Sequence, residues 1–207
     1  MIAVAVIALV VFALFVVLAG GVRVWLQYRY TGDTGIRSVR PGSGLWAVLA
    51  TVVGSGAVGV LAPLGELAGW APLSFLDVPS LRFAGVILAG VGVLGAFVAQ
   101  LAMGTYWRIG VDPTERTTLL TDGLFRVVRN PIYAAWGLMG LGLALAVPNL
   151  IAVVGLAVLV AGIELVVRVV EEPYLHRQHG FAYERYAAQV GRFVPGVGRL
   201  HRGGLPR

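Results

Sequence analysis

The residues able to do chemistry gather in two short polar stretches of an otherwise apolar chain. The first holds Gly123, Leu124, Arg126, Arg129, Asn130, Pro131 and Tyr133. The second starts at Glu171 and Glu172 and continues through Tyr183, Tyr186 and Arg192 to Pro195. Pro131 disfavours helix at Asn130 and suits the first turn of a helix that follows. Asn130 therefore reads as a helix cap, and the N–H groups at that helix start offer a seat for an anionic group. Glu171 and Glu172 follow the next apolar hairpin. Two adjacent acids at a helix C-terminus oppose its dipole, and they make sense where a cation is bound. The two stretches are expected to close on each other and form one site.

Other candidates are weaker. Glu164 and Arg168 are four residues apart and share a helix face, with Glu171 and Glu172 three and four residues beyond Arg168. Ionisable groups inside a span are costly and usually face a partner or an aqueous cavity. Glu164 with Arg168 reads either as a tolerated ion pair or as part of the site. His176 and His179 could share a metal, but a zinc site needs more ligands than this chain clusters, so they read as surface or headgroup residues. Gly140 and Gly142 lie inside an apolar run without the strand–turn–helix setting of a nucleotide fingerprint, which favours helix packing.

The elements that must position these residues are membrane helices. The 207 residues are 58% hydrophobic and 13% charged, about half the charge of a soluble domain at roughly 25%. Cysteine is absent, which excludes disulfides and thiolate chemistry. The net charge of +6 comes from arginine alone and points to anionic headgroups rather than nucleic acid. Apolar runs at 2–22, 45–61, 81–106, 132–147 and 150–170 predict five spans, the fourth rather short. Residues 31–44 and 63–80 read as loops, and Trp107 and Arg108 as interfacial anchors. The first run lacks a basic leader and reads as a retained span with its N-terminus outside. Of the arginines only Arg82 then falls on the outer face, which puts both polar stretches on the cytoplasmic side. The expected fold is an all-α bundle of about five transmembrane helices forming a single domain. Its N-terminal spans cover 1–103 and its catalytic core 104–195, with a cytoplasmic C-terminal helical segment closing the pocket and a basic tail over 196–207.

The ordered set of motifs resembles a known superfamily. Trp107-Arg-Ile-Gly110 comes first, then Leu119-Leu-Thr-Asp-Gly-Leu-Phe-Arg-Val-Val-Arg-Asn-Pro-Ile-Tyr133. After the hairpin come Glu171-Glu-Pro-Tyr-Leu175, Gly180-Phe-Ala-Tyr-Glu-Arg-Tyr186 and Val190-Gly-Arg-Phe-Val-Pro195. Over about residues 104–195 this is similar to the isoprenylcysteine carboxyl methyltransferases and phospholipid methyltransferases. The resemblance implies a cytoplasmic pocket for S-adenosylmethionine, shaped by Arg129, Asn130, Pro131 and Tyr133, by Glu171 and Glu172, and by Tyr183, Tyr186 and Arg192, with Gly123 and Leu124 leading in. Many relatives carry His where this chain has Asn130, so an obligatory acid–base role at that position is not expected.

On that resemblance the implied partner is a lipophilic small molecule that reaches the site sideways from the bilayer. A carboxylate acceptor needs no base and could be oriented by Arg129 or Arg168. An amine or hydroxyl needs one, and Glu172 is the expected base. The alternatives are an NADPH-dependent reductase of the sterol-reductase type and a non-catalytic membrane protein of the same fold. The acceptor and the oligomeric state stay open.

Overall fold

The protein is described by a computed structural model over residues 2–37, 44–110 and 118–200. Arg40, Asp112, Glu115, Arg116, His201 and the end of the basic tail lie outside the described residues. Among the described residues the chain is all helix and loop, apart from two isolated bridges, Ile36 with Ile109 and Val128 with Gly191. The helices are α1 (Ile2–Thr31), α2 (Leu45–Leu67), α3 (Pro79–Ala102), α4 (Pro131–Ala146) and α5 (Leu150–His179), followed by a short α6 (Phe181–Gln189). α1, α2, α3 and α5 are long and apolar enough to cross a membrane; α4 is apolar but shorter. The all-α membrane architecture expected from composition is the one observed.

Three boundaries differ from the sequence reading. α1 continues past its apolar run to Thr31, so Arg23 and Arg29 are helical. α2 continues through Pro63 to Leu67, in a region read as loop. α5 continues through Pro173 to His179, so Glu171 and Glu172 do not stand at a helix end. Glu171 and Glu172 therefore do not oppose a helix dipole. The last two differences share a physical reason. A proline inside an α-helix collides with the carbonyl four residues earlier. Here each is preceded by a stretch of wider π-helix, Ala57–Leu61 before Pro63 and Val167–Glu171 before Pro173, and the added room lets the helix pass the ring.

Small residues bring the helices together in two pairs. In α3–α4, a Cβ on Gly92 would stand 2.4 Å from the Met139 nitrogen, and one on Gly142 would stand 2.3 Å from the Ala89 nitrogen. In α2–α5, Gly54 meets Leu159 in the same way. Without a hydrophobic force between helices in lipid, such backbone approach is what holds a bundle. The turn between α4 and α5 is fixed by buried Asn149. Its Oδ1 accepts from the Ala152 N–H at 3.0 Å and its Nδ2 donates to the Ala62 carbonyl at 2.8 Å. At the same end Arg82 is buried and donates to Glu66 and Asp77, both at 2.7 Å. The core is Ala-rich where α1, α3 and α4 meet, with Phe15, Met139 and Leu143 as its larger members.

Candidate active site

The two polar stretches do close on each other. Asp122 is followed by a 3-10 turn, Gly123–Arg126, that leads the chain from the loop towards α4. Gly123 opens it with φ +57, a conformation that side chains resist. The next residues then run beside the C-terminal segment. The Arg129 N–H donates to the Gly191 carbonyl at 2.8 Å and the Asn130 N–H to the Arg192 carbonyl at 3.1 Å. Asn130 occupies the cap position of α4, but its side chain does not cap; Nδ2 donates to the Arg192 carbonyl at 3.3 Å. The first backbone bond of α4 runs from Ala134 to Asn130, so the N–H groups of Ile132 and Tyr133 come before the helical ladder begins.

A cavity of about 440 Å³ opens beside this helix start. Arg129, Asn130, Pro131 and Tyr133 line it from the first polar stretch, and Glu171 and Tyr186 from the second. Six of the expected site residues are thus brought to one wall. The Tyr133 hydroxyl donates to Glu171 Oε1 at 3.3 Å, and its ring stacks against Trp136 at 6.3 Å between centroids. The Tyr186 hydroxyl donates to the Phe125 carbonyl at 2.6 Å, which ties α6 to the 3-10 turn. Burial pushes the Tyr186 phenol up to about 12. It also lifts Tyr183 well above the usual range, with the Glu172 charge adding to the effect.

The other expected residues lie off the cavity. Glu172 is buried, and both of its oxygens are taken by guanidinium groups. Oε1 accepts from Arg129 Nη2 and Arg192 Nε, each at 2.8 Å, and Oε2 from Arg192 Nη2 at 3.0 Å. Arg129 also donates to the carbonyls of Ala187, Val190 and Gly198, so most of its donors clasp the C-terminal segment. Arg192 reaches on to Glu164 at 3.0 Å, and Glu164 also holds Arg168, whose side chain is 57% exposed. Tyr183 is buried in α6 beneath this cluster. Gly123 and Leu124 shape the turn without lining the cavity. The expected pairing of Glu164 with Arg168 is present, but as the outer end of an ionic chain running through Arg192 and Glu172 to Arg129. His176 meets Glu184 at 2.8 Å.

Part of the cavity wall lies outside the motifs of the sequence. Phe15, Val16, Ala19 and Gly20 of α1 line it, with Gln100 and Met103 near the end of α3 and Tyr106 just beyond; Trp107, from the first motif, follows. Trp107 is buried, not an interfacial anchor. Arg23 is buried too, its guanidinium 4.5 Å over the Trp107 ring, and it donates to the carbonyls of Gln100 and Gly104 where α3 runs out. A cation there satisfies carbonyls that a helix end leaves unpaired. The signal in the sequence was Gly20-Gly21 followed by Arg23, a break near the end of an otherwise unbroken apolar run.

Among the described residues lining the cavity, Glu171 is the one carboxylate. It shares the cavity with the start of α4, with aromatic side chains and with the guanidinium groups of Arg108 and Arg129. Such a site can hold a cation, accept a proton and exclude water. No curated protein and no solved structure matches the chain. The family model described as phospholipid methyltransferase matches residues 81–182, about half of the chain, covering nearly all of α3, all of α4 and α5, the first polar stretch and the start of the second with Glu171 and Glu172. The chain is thus an integral membrane protein with a methyltransferase domain, and it belongs to the superfamily of the phospholipid and isoprenylcysteine carboxyl methyltransferases.

Proposed function

We propose that this protein is an S-adenosylmethionine-dependent methyltransferase that acts at the cytoplasmic face of the membrane on a lipophilic acceptor. The observation that carries the reading is the cavity itself. Its lining combines polar groups, at the α4 helix start and Glu171, with apolar side chains drawn from α1. Its volume lies within the range of small-molecule sites. The residues present fit the cofactor. The N–H groups of Ile132 and Tyr133 suit a carboxylate at a helix start. Trp107, Tyr106 and Tyr186 supply aromatic surface for a purine, and Glu171 suits a cation. The strong bias of arginine towards one face supports the cytoplasmic placement.

When bound, S-adenosylmethionine supplies a methyl group on a sulfonium, and transfer to the acceptor leaves a neutral thioether. The chain's own part is positioning, which can account for much of the acceleration of such a displacement. Tyr133 holds the Glu171 carboxylate on the cavity side of α5. For an amine or hydroxyl acceptor, Glu171 takes the proton released as the new bond to carbon forms; a carboxylate acceptor releases none. Glu172, with both oxygens held by Arg129 and Arg192, is better suited to fastening the C-terminal segment over the site than to proton transfer. Arg168, exposed on the outer side of the ionic chain, has no reach to the acceptor on this account.

The test is incubation of the purified protein with methyl-labelled S-adenosylmethionine and a total lipid extract. Label in a lipid product, with retention of S-adenosylhomocysteine by the protein, is the expected result. Retention of NADPH and no binding of S-adenosylhomocysteine would replace this reading with the reductase alternative.

A further inference from the structure

One short stretch gives the cavity six of its lining residues: Met103, Tyr106, Trp107, Arg108, Ile109 and Gly110. It has little regular structure of its own, only a 3-10 turn over Gly104–Tyr106 and an isolated bridge at Ile109. Backbone outside helix or sheet opens readily unless other groups fasten it. The stretch itself lies within the matched residues 81–182, but the groups that fasten it come from earlier in the chain. Gln100 Nε2 donates to the Ala19 carbonyl at 3.1 Å, and Arg23 donates to the carbonyls of Gln100 and Gly104. Gln27 Nε2 donates to the Thr105 carbonyl at 2.8 Å. Further on, the Ile109 N–H donates to the Gly35 carbonyl and the Arg37 N–H to the Ile109 carbonyl, each at 2.9 Å. Gly35, with φ +72, allows that approach; a Cβ there would stand 3.0 Å from the Trp107 carbonyl oxygen.

Arg23 is the costly member of this brace. It is 3% exposed, and a buried charge is expensive unless it is compensated. Among the described residues it reaches no carboxylate. Its acceptors are the two backbone carbonyls and Gln27 Oε1, the last at 3.1 Å. The remaining neighbour is the Trp107 ring, 4.5 Å from the guanidinium carbon. Trp107 is buried on the cavity wall, whereas Arg23 does not line the cavity. An apolar side chain would pack α1 against α3 with no charge to desolvate. An ionisable group inside a span marks function more often than stability, and here everything it touches belongs to the brace or to the wall.

We propose that Arg23, with Gln27 beside it, is a positioning residue for the methyl donor: it holds Trp107 and the backbone around it as a fixed surface for the purine of S-adenosylmethionine. The proposal rests on the methyltransferase reading and makes the first helix part of the donor site. Arg23 touches no donor atom and acts through the ring and the two carbonyls. A wall ordered in advance spares the donor the cost of ordering it on binding. A loosened wall therefore weakens donor affinity while leaving the number of sites unchanged.

The experiment uses the full chain in lipid nanodiscs and compares the parent with Arg23→Met, Gln27→Met and Arg29→Gln. Arg29 is exposed on the same helix and controls for the loss of one positive charge. Calorimetry with S-adenosylhomocysteine gives both the Kd and the number of sites, and hydrogen exchange gives the opening of residues 104–110. Arg23→Met is expected to raise the Kd about tenfold, the loss that goes with hydrogen bonds from a charged donor, with the number of sites unchanged and exchange at 104–110 faster. Gln27→Met is expected to do the same to a smaller extent, about threefold, and it decides the matter by the same readings if Arg23→Met does not fold. Arg29→Gln is expected to match the parent. An unchanged Kd with a full number of sites overturns the proposal. So does a reduced number of sites at an unchanged Kd, which is what a purely structural role produces. Equal weakening by Arg29→Gln overturns it too, since net charge is then the cause. A parent that binds no S-adenosylhomocysteine removes the methyltransferase reading, and the donor role of Arg23 with it; that failure shows before any variant is made.

Discussion

Glu171 and Glu172 are neighbours in sequence with opposite surroundings. Glu171 lines the cavity and accepts a hydrogen bond from Tyr133. Glu172 sits between Arg129 and Arg192 with all its bonds directed to them. Their neutralisation should therefore fail in different ways. Glu171→Gln is expected to fold and melt like the parent but to lose methyl transfer by about 100-fold where the acceptor must give up a proton, the lower range of a general base contribution. Glu172→Ala leaves buried Arg129 without its anion and Arg192 with Glu164 alone. Breaking a buried pair in this way costs about 3–5 kcal/mol, so this variant should show a clearly lowered melting temperature. Thermal melts beside transfer rates on the two variants check both outcomes; an unchanged melt for Glu172→Ala would remove the ionic chain as the fastening of the C-terminal segment.

At the scale of elements, the glycines of the spans divide into those that touch and those that do not. Gly92 and Gly142 carry the α3–α4 contact, whereas a Cβ on Gly90 meets nothing within 4 Å. Gly92→Leu is expected to abolish monodisperse protein on size-exclusion chromatography, because the backbones of α3 and α4 must separate to admit the side chain. Gly90→Leu should elute like the parent. Spacing in the sequence shows where small residues recur but not which face of a helix meets a partner. The π-helical stretches before Pro63 and Pro173 escaped the sequence reading for a related reason. A proline ends a helix unless neighbouring helices give the backbone room to widen, and that room belongs to the bundle, not to the local chain.

For the whole molecule, the C-terminal segment is one layer fastened to the start of α4 and to α5, and its Tyr186 reaches the cavity. Gly180, with φ +48, turns the chain from α5 into α6. α6 then seats Tyr183 under the ionic chain and ties Tyr186 to the Phe125 carbonyl. Both phenols are held above their ordinary value by burial, Tyr186 at about 12. An acid with a raised folded pKa favours the folded state below its unfolded pKa, and that contribution is lost as pH rises through the folded one. Stability should thus hold up to about pH 10, the ordinary tyrosine value, and fall as pH climbs towards 12. Tyr186→Phe should flatten the fall. Melting temperatures at intervals across that range check it, and an identical slope in the variant would remove Tyr186 as its source.

Composition alone made this a membrane protein, because a chain so poor in charge cannot fill a soluble surface. Local order along the chain placed Asn130, Pro131 and Tyr133 at a helix start and pointed to the second polar stretch as their partner, since capping and proline geometry act within a few residues. Tertiary structure decided the rest. It set Glu171 on the cavity and Glu172 in an ion cluster, although a local reading weighs two adjacent acids equally. It also brought Phe15, Val16 and Gly20 to the same cavity from about 110 residues away. A wall made by packing one apolar helix face against another leaves no motif in either strand of sequence, because lipid-facing and cavity-facing apolar residues are chemically alike until a neighbour distinguishes them.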